Sequence, residues 1–325
     1  MDIKQKVLQI LEANRDTTVN GATLAKDLSV SRNSVWKAMK SLQQEGYLIE
    51  AITNKGYRLL PGNNILSAES ITPYLRGEAS NFNLEVRQSV TSTNIIAKEL
   101  ATQGAKAGTV IIAREQTAGR GRMGRSFYSP TDSGIYLSII LRPVINLEDS
   151  LLITTAVAVA VAKAIETTAQ VKADIKWVND IYVSDKKVCG ILTEAAMNFE
   201  NGSLEYAVVG IGINIETKDF PSEIKDIAGS IFTDKPKNNP VSSILTAAVL
   251  SNIAECMNSL TDKKYIEEYR SRSFLIGKDI YVIKGSKTTP AKAIAIDEKA
   301  RLIVEYEDNT QETLNSGEVS IRIQK

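Results

Sequence analysis

Histidine is absent from this sequence. Without an imidazole, the chain can use neither Ser-His-Asp nor Cys-His catalysis, and it has no histidine to serve as a metal ligand or a pH switch. Any chemistry that the protein performs must therefore depend on lysine, arginine, carboxylate and amide side chains and on the backbone.

Cysteine and long apolar runs are also scarce. The only two thiols, Cys189 and Cys256, form neither a disulfide framework nor a metal site at that spacing. No apolar run approaches the ~20 residues of a membrane span. The longest candidate, 151–165, contains Lys163 and predicts a buried helix. Because the N-terminus also lacks a signal-peptide pattern, we expect a cytosolic protein with no membrane contact and no protein-built metal site.

An excess of charge is lacking as well. The formal net charge is +1, so the whole molecule gives no nucleic-acid signal. Residues 1–60 carry nine basic and six acidic side chains, and this local excess of +3 is weak. Any prediction of a nucleic-acid partner must therefore come from the pattern of residues rather than from net charge.

The first sixty residues have the pattern of a helix-turn-helix. Apolar residues from Ile3 to Leu11 recur at helical spacing, and 23–28 predicts a short second helix. Ser31 is a favourable N-cap for a third helix whose inner stripe runs from Val35 to Leu42. Residues 47–60 then alternate around an Asn-Lys-Gly turn, which predicts a β-hairpin.

A basic hairpin behind such a helix is typical of a winged helix that binds DNA, because the amides and cations of the helix can meet base edges and phosphates. The predicted DNA-contacting residues are Arg32, Asn33, Lys37, Lys40 and Lys55. The alternative is a helical module for protein contacts. Trp36, at the edge of the polar face, is interpreted as a partly buried core residue rather than a base-stacking one.

Residues 66 to about 270 show consecutive strand patterns with few intervening helices. This order favours an α+β fold with a mixed sheet over a doubly wound one. The turn-rich segment 61–64 is the predicted boundary in front of this region. Four short alternating strand patterns between Asp279 and Ile323 predict a small β domain at the other end.

Three polar motifs lie beside predicted strands. The segment 116–125 alternates glycine and arginine, which gives a mobile backbone for close ligand approach and permanent cations for phosphates or carboxylates, although it is not a P-loop. The segment 176–180 places a lysine beside an amide and a carboxylate, which suits a ligand clamp. The segment 210–214 combines glycines that allow close backbone approach with an amide that can read a base edge. For the first two motifs, a basic surface loop and a salt-bridge cluster are the alternatives.

Together with Ser92-Thr93-Asn94, these motifs resemble, in this order behind a winged helix, those of the bifunctional biotin protein ligases, or biotin operon repressors. The resemblance covers essentially the whole chain. It implies an α+β protein with three domains: a winged helix-turn-helix at 1–62, a central mixed α/β catalytic domain of the biotin/lipoate ligase type at 66–272, and a small SH3-like β-barrel at 273–325.

The resemblance also implies roles for individual residues. Biotin would be held by Ser92, Thr93, Asn94, Gln116 and Lys176, under a closing loop that contains Arg120, Gly121 and Arg122. The adenylate or ATP would meet Arg120, Arg122, Phe127, Asn214 and Arg322. Two positions depart from the family pattern: Val178 replaces the usual proline, and Phe127 stands where a tryptophan is common, so adenine stacking should be weaker.

The implied reaction joins biotin to ATP as biotinyl-5′-AMP and then transfers biotin to a lysine on the biotin carrier domain of a carboxylase. Lys176, the loop arginines and Mg²⁺ would neutralise the charge at the α-phosphate, with Lys176 and Arg122 as the catalytic residues. Asp180 is either a base for the carrier lysine or a residue that only orients its loop. The adenylate would also promote a homodimer that binds operator DNA and represses biotin genes.

Two other functions compete with this one. A lipoate ligase shares the catalytic fold, but the glycine–arginine loop and the winged helix argue against it. A transcription factor that senses biotin without catalysis would not need Lys176 and all the loop arginines.

Overall fold

The computed structural model describes residues 2–146, 149–197, 202–234, 236, 240–315 and 319–323, the last of these by their backbone alone. The chain folds into two compact units. One contains the residues up to Arg76 together with Asp234–Ala248, and the other contains Gly77–Thr233 and Val249–Lys325.

The first unit begins with the predicted helix-turn-helix. Its helices are α1 (Ile3–Ala13), α2 (Gly21–Asp27) and α3 (Arg32–Gln44), and its wing is the antiparallel pair β1 (Ile49–Ile52) and β2 (Gly56–Leu59). Ser31 caps α3, because its hydroxyl accepts a hydrogen bond from the Ser34 amide at 3.0 Å. The predicted N-cap is thereby confirmed.

One apolar core joins the three helices to the wing. It contains the predicted inner stripe of α3 and residues of every other element, including Val7, Leu24, Met39 and Leu59. Trp36 is not among the residues of this core and exposes 49% of its surface, so the prediction of a partly buried core residue is wrong.

The segment after the wing is packed rather than free. Asn63 is buried, accepts a hydrogen bond from the Leu48 amide at 2.7 Å and donates to the Leu60 carbonyl at 2.6 Å. A short helix, α4 (Ala68–Ile71), follows within the same compact unit. The turn-rich segment 61–64 therefore marks the end of the wing, while the compact unit continues to Arg76.

The second unit is built on the predicted mixed sheet. Its strands are β3 (Asn83–Arg87), β4 (Thr109–Ala113), β5 (Gly134–Leu141), β6 (Asp174–Lys176), β7 (Asp180–Val183), β8 (Lys186–Met197) and β9 (Leu204–Asn214). They lie in the order β3-β4-β5-β9-β8-β7-β6, with a parallel pair at β3 and β4 and antiparallel pairs elsewhere. The expected α+β class is confirmed.

Helices complete this unit. They are α5 (Thr93–Thr102), α6 (Ser150–Ala169), α8 (Tyr265–Arg272) and the part of α7 (Val241–Asn258) that follows Ala248. By length and composition α6 could cross a membrane, but 78% of its apolar window is buried within the protein. It is the buried helix that the Ala/Val-rich sequence predicts.

The C-terminal strands form a separate antiparallel sheet of this unit. It contains β10 (Asp279–Lys284), β11 (Lys287–Ile296), β12 (Leu302–Glu305), β13 (Gln311–Leu314) and β14 (Val319–Ile323), in the order β13-β12-β11-β10-β14. Strand β13 was not predicted, because its sequence has little apolar alternation. In the part of the chain that the structure describes, the edge strands β13 and β14 do not pair, so the closed barrel that the resemblance implies is not found.

The turn of the wing generates a stability prediction. Gly56 has a φ of +134°, and a Cβ there would lie 2.1 Å from the Val19 carbonyl oxygen. Gly46, in the same unit, has a φ of +96° but meets nothing closer than 3.7 Å. We expect Gly46→Ala to cost about 1 kcal/mol through backbone strain alone and Gly56→Ala to cost about 2 kcal/mol more because the clash is added. Urea denaturation measures both, and equal losses would contradict the packing argument.

Candidate functional site

A cavity of about 530 Å³ lies in the second unit. It is lined by all ten predicted ligand-binding residues of the catalytic region: Ser92, Thr93, Asn94, Gln116, Arg120, Gly121, Arg122, Phe127, Lys176 and Asn214. The eleventh, Arg322, belongs to β14 and pairs with Tyr281 through the backbone, and its side chain lies outside the described residues. The structure thus brings together segments that are far apart in the sequence.

The first turn of α5 supplies one end of the cavity. Ser92 occupies the N-cap position, but its side chain makes no capping hydrogen bond, which leaves the hydroxyl available to a ligand. The backbone amide of Thr93 donates to Gln116 Oε1 at 2.9 Å, and the Thr93 hydroxyl donates to the same oxygen at 3.1 Å. Asn94 Nδ2 donates to Glu194 Oε2 at 3.0 Å. These contacts fix the polar floor of the cavity within the protein itself.

The glycines of the motif 210–214 have a structural role in addition to the predicted one. A Cβ on Gly210 would lie 1.9 Å from Asn94 Oδ1, and a Cβ on Gly212 would lie 2.5 Å from Cε1 of Phe127. The missing side chains therefore make room for Asn94 and Phe127. Both glycines also line the cavity, and their close approach to a ligand stays a prediction.

The other end of the cavity carries an aromatic ring and an unused amide oxygen. The ring of Phe127 lies against Gly190 and Gly212 and meets Tyr136 edge-on, with a centroid distance of 6.4 Å. Asn214 Nδ2 donates to the Gly229 carbonyl at 3.0 Å, whereas Asn214 Oδ1 is buried with no hydrogen-bond partner in the described part of the chain. An acceptor of this kind needs a donor, which a ligand can provide.

The glycine–arginine loop is a tight hairpin. The Gly121 amide donates to the Arg125 carbonyl at 2.7 Å, and the Phe127 amide donates to the Gly119 carbonyl at 2.9 Å. Arg120 is exposed, whereas Arg122 is partly buried and donates to Asn179 Oδ1 at 3.0 Å. Burial lowers the pKa of Arg122, although Asp180 nearby opposes that effect.

The segment 176–180 turns from β6 into β7 at the cavity wall, and its Trp177–Val178 peptide bond is cis. The Trp177 indole donates to the Ala300 carbonyl at 3.0 Å, and the Tyr269 hydroxyl donates to the Val178 carbonyl at 3.0 Å. These two buried contacts hold the turn that presents Lys176 to the cavity.

Lys187 lines the cavity although it was not among the predicted site residues. Its Nζ lies 2.6 Å from Asp180 Oδ1, and both residues line the cavity. The sequence indicates this contact through the turn at Ser184-Asp185, because a hairpin at that turn places the start of β8 beside Asp180 on β7. Burial, with a smaller contribution from the charge of Asp180, raises the pKa of the neighbouring Tyr182 to about 12.

Apolar side chains from the segment after β9 form a wall that was also not predicted: Phe220, Ile224, Ile227 and Ala228. Asp180 is the acidic residue of the lining. Within the described ranges, no group of three or more histidine, cysteine or carboxylate residues is arranged to hold a metal ion.

The first unit carries the predicted DNA-contacting side chains on its surface. Arg32, Asn33, Lys37 and Lys40 are exposed on α3, on the side opposite its buried stripe, and Lys55 is exposed at the turn of the wing. Trp36 is also exposed on this helix.

Comparison with known families matches three segments of the chain. Residues 4–58 match an HTH domain, residues 85–214 match the biotin/lipoate A/B protein ligase family, and residues 275–322 match the biotin protein ligase C terminal domain. These segments correspond to the helix-turn-helix with its wing, to the sheet around the cavity and to the C-terminal sheet.

Similar proteins are found along nearly the full length. The bifunctional ligase/repressor BirA of Bacillus spizizenii is 34% identical over 320 residues, which is 94% of this chain and 95% of that protein. The BirA of Bacillus subtilis is also 34% identical, over 93% of this chain and 94% of that protein. The structure of a biotin protein ligase from Aquifex aeolicus in complex with biotin and ATP has a TM-score of 0.62 and 28% identity, and covers 74% of this chain and 99% of that one.

Since the match to the bifunctional enzymes runs through the winged helix, the cavity and the C-terminal sheet alike, this chain belongs to the bifunctional ligase/repressor family of biotin protein ligases.

Proposed function

We propose that this chain joins biotin to a carrier protein by way of biotinyl-5′-AMP, at the expense of ATP, and that it represses transcription through its winged helix. The observation that carries the proposal is the single cavity in which all ten predicted ligand-binding residues meet. Its volume of about 530 Å³ lies in the range typical of small-molecule sites.

The ends of the cavity suit the two parts of the adenylate. Ser92, Thr93, Asn94 and Gln116 line a polar floor that can hydrogen-bond the ring of biotin. At the opposite end, the buried acceptor Asn214 Oδ1 can receive a hydrogen bond from the amino group of adenine, and the ring of Phe127 offers an apolar surface. The family resemblance also implies that Arg322 contacts a phosphate.

Adenylation needs positive charge between those ends. An oxygen of the biotin carboxylate attacks the α-phosphorus, the bond to the β-phosphate oxygen breaks, and pyrophosphate leaves. Lys176 and Arg122 lie in the lining and stabilise the negative charge that develops, with Arg120 and Gly121 closing over the product. Lys187, which lies on β8 and pairs with Asp180 on β7, adds a further cation.

A Mg²⁺ ion bound with ATP would supply further positive charge at the phosphates. Asp180 is the acidic residue of the described lining and pairs with Lys187, so such an ion would depend mostly on ligands from the ATP phosphates.

The second step transfers biotin to a lysine of the carrier domain of a carboxylase. The unprotonated amine attacks the acyl carbon, and AMP leaves with the electrons of the broken C–O bond. Lys187 Nζ already lies 2.6 Å from Asp180 Oδ1. This ion pair favours the interpretation that Asp180 orients the turn over the interpretation that it is the base for the carrier lysine. The Gly119–Arg125 loop then keeps water from the anhydride.

Repression uses the first unit. The domain boundaries proposed for the chain are 1–62 for the winged helix, 66–272 for the ligase domain and 273–325 for the C-terminal β domain. A single winged helix covers a short stretch of duplex, so operator binding calls for a symmetric dimer. The adenylate promotes this dimer, which represses biotin genes.

ATP–pyrophosphate exchange distinguishes this proposal from its alternatives. Exchange that depends on biotin supports the ligase, exchange that depends on lipoate identifies a lipoate ligase, and biotin binding without exchange identifies a sensor that does not catalyse.

Lys176 is the residue whose loss should slow adenylation most directly. Lys176→Ala removes a preorganised cation at the transferred phosphate, and we expect the adenylation rate to fall at least ~100-fold. Lys172→Ala is the matched control, because Lys172 is largely exposed and pairs with Asp174 outside the cavity. A loss of less than threefold in the Lys176 variant would remove Lys176 from the catalytic residues.

Lys37 and Lys55 are exposed lysines that we expect to contact DNA phosphates. Lys37→Ala and Lys55→Ala should each weaken binding and lower the slope of log affinity against log salt by about one unit for each lost phosphate contact. Fluorescence anisotropy with a labelled duplex selected by the protein from a random pool measures both quantities. Lys6→Ala on α1 is the control, and unchanged slopes in both test variants would place these lysines away from the phosphates.

The adenylate is expected to link the two activities. Ordering of the glycine–arginine loop around the adenylate removes conformational entropy that dimerisation would otherwise have to remove, and such coupling is typically about 1–3 kcal/mol. A non-hydrolysable biotinyl-AMP analogue should therefore strengthen both the dimer in sedimentation and its binding to the selected duplex. If neither changes, the winged helix serves another purpose than adenylate-dependent repression.

A further inference from the structure

Trp36 is an aromatic side chain that the protein leaves half uncovered. It exposes 49% of its surface and is not part of the apolar core beside α3. In the described part of the chain, it is the only exposed aromatic residue. A single exposed apolar side chain is common on protein surfaces, so its surroundings decide whether a partner is implied.

The surroundings of Trp36 are cationic. Helix α3 contains three basic residues and no acidic one. Trp36 lies one helical turn after Arg32 and one turn before Lys40, and residues four apart on a helix are neighbours on its surface. Arg32, Lys37 and Lys40 are all exposed, and so is Asn33. The uncovered ring is therefore bordered by positive charge and by an amide that can hydrogen-bond.

Duplex DNA matches this combination. Its phosphates line both sides of the major groove, and the C5-methyl group of thymine is an apolar group on the floor of that groove. A protein partner would instead need carboxylates arranged around an apolar patch to meet the same surface. Charge complementarity thus favours DNA as the occupant of this face of α3.

We propose that the uncovered part of the Trp36 indole contacts the C5-methyl group of a thymine in the major groove, which makes Trp36 a specificity-determining residue for the DNA site. This contact rests on the proposed function, because it requires α3 to be the helix that enters the groove. It adds to that function a base that the DNA site must contain.

The position of Trp36 along α3 suits such a contact. It is the fifth residue of a helix of 13 residues, and helix-turn-helix proteins contact base edges with the N-terminal part of the recognition helix. The indole offers one N–H donor and no acceptor, so it cannot form the paired hydrogen bonds that identify guanine or adenine. Its apolar ring can still distinguish thymine from cytosine, which lacks the methyl group.

Stacking between base pairs is a poorer fit for this side chain. A ring that enters the base stack is covered on both faces, and such insertion unstacks a base step and kinks the duplex. Since only 49% of Trp36 is exposed, the protein already covers part of the ring. The part that remains open is sufficient for contact with a methyl group.

The test removes single methyl groups from the DNA. Each thymine of the duplex selected from the random pool is replaced in turn by deoxyuridine, which lacks only the C5-methyl group. Anisotropy then gives the affinity of the full-length protein in the presence of the biotinyl-AMP analogue. We expect at least one replacement to weaken wild-type binding by about fourfold, the scale of burying one methyl group. In Trp36→Ala, the same replacement should change the affinity by less than about 1.5-fold, because the methyl group has lost its contact.

Further variants separate this contact from general effects. Leu48→Ala is the matched control, because Leu48 is 50% exposed in the same unit but lies outside α3, and it should keep the full response to the replacement. Since the indole has no charge, Trp36→Ala should weaken binding without changing the slope of log affinity against log salt, which Lys37→Ala should lower. Trp36→Gln takes the place of the alanine variant if that one fails to fold.

Acrylamide quenching of tryptophan fluorescence tests whether the DNA covers the ring. The chain has two tryptophans, and Trp177 is buried, so quenching reports mainly on Trp36. The selected duplex should protect this fluorescence from acrylamide, whereas the biotinyl-AMP analogue alone should not. Trp36→Phe gives the background signal of Trp177.

The outcomes are distinct. A methyl dependence that persists in Trp36→Ala, or a wild type that binds the selected duplex without any methyl-dependent position, would overturn the contact. A Trp36→Ala variant that loses adenylate-dependent dimerisation in sedimentation would make Trp36 a protein contact and overturn it as well. If the wild type selects no duplex from the pool, the DNA-binding part of the proposed function fails together with the contact.

Discussion

The antiparallel pairing of β9 with β5 and β8 is the constraint on which the site depends. Its register places Gly210 opposite Ser138 and Gly212 opposite Gly190. A shift of one residue would turn the side chains of Val209 and Ile211 toward the cavity, because alternate residues of a strand face opposite sides. The space that Asn94 and Phe127 occupy would then be lost. The same pairing therefore forms the sheet and shapes both ends of the cavity.

Within that frame, the chemistry uses permanent charges and fixed amides in place of histidine. Arg122 is oriented by Asn179, whose own Nδ2 donates to the Ile191 carbonyl at 2.7 Å, so one amide connects the loop to β8. Lys187 and Asp180 meet across the β7–β8 hairpin. Groups that are fixed before the substrate arrives need little reorganisation as charge develops at the phosphate, which makes positioning an effective route to catalysis.

Local patterns in the sequence predicted a large part of this arrangement. The cap at Ser31, the buried helix α6 and the strands around the motifs depend on neighbouring residues, and ordered motifs identified the family. Contacts between distant segments were beyond reach. Nothing near Gly210 indicates that its partner is Asn94, and Glu194 looks like any carboxylate on a strand until α5 is seen to lie against it. The polar strand β13 was not predicted for a related reason. Its own sequence shows little apolar alternation, and it forms a strand through its pairing with β12.

The two departures from the family pattern illustrate how tertiary contacts replace local chemistry. Proline restricts a turn through its own ring, which Val178 lacks. Here the adjoining groups are held from outside, by the Tyr269 hydroxyl on the Val178 carbonyl and by Ala300 on the Trp177 indole. Phe127, smaller than tryptophan, is enclosed by two glycines and the edge of Tyr136. Apart from Gly212, the residues that fix these two positions lie outside the motifs, so the motif pattern alone understates how well the site is defined.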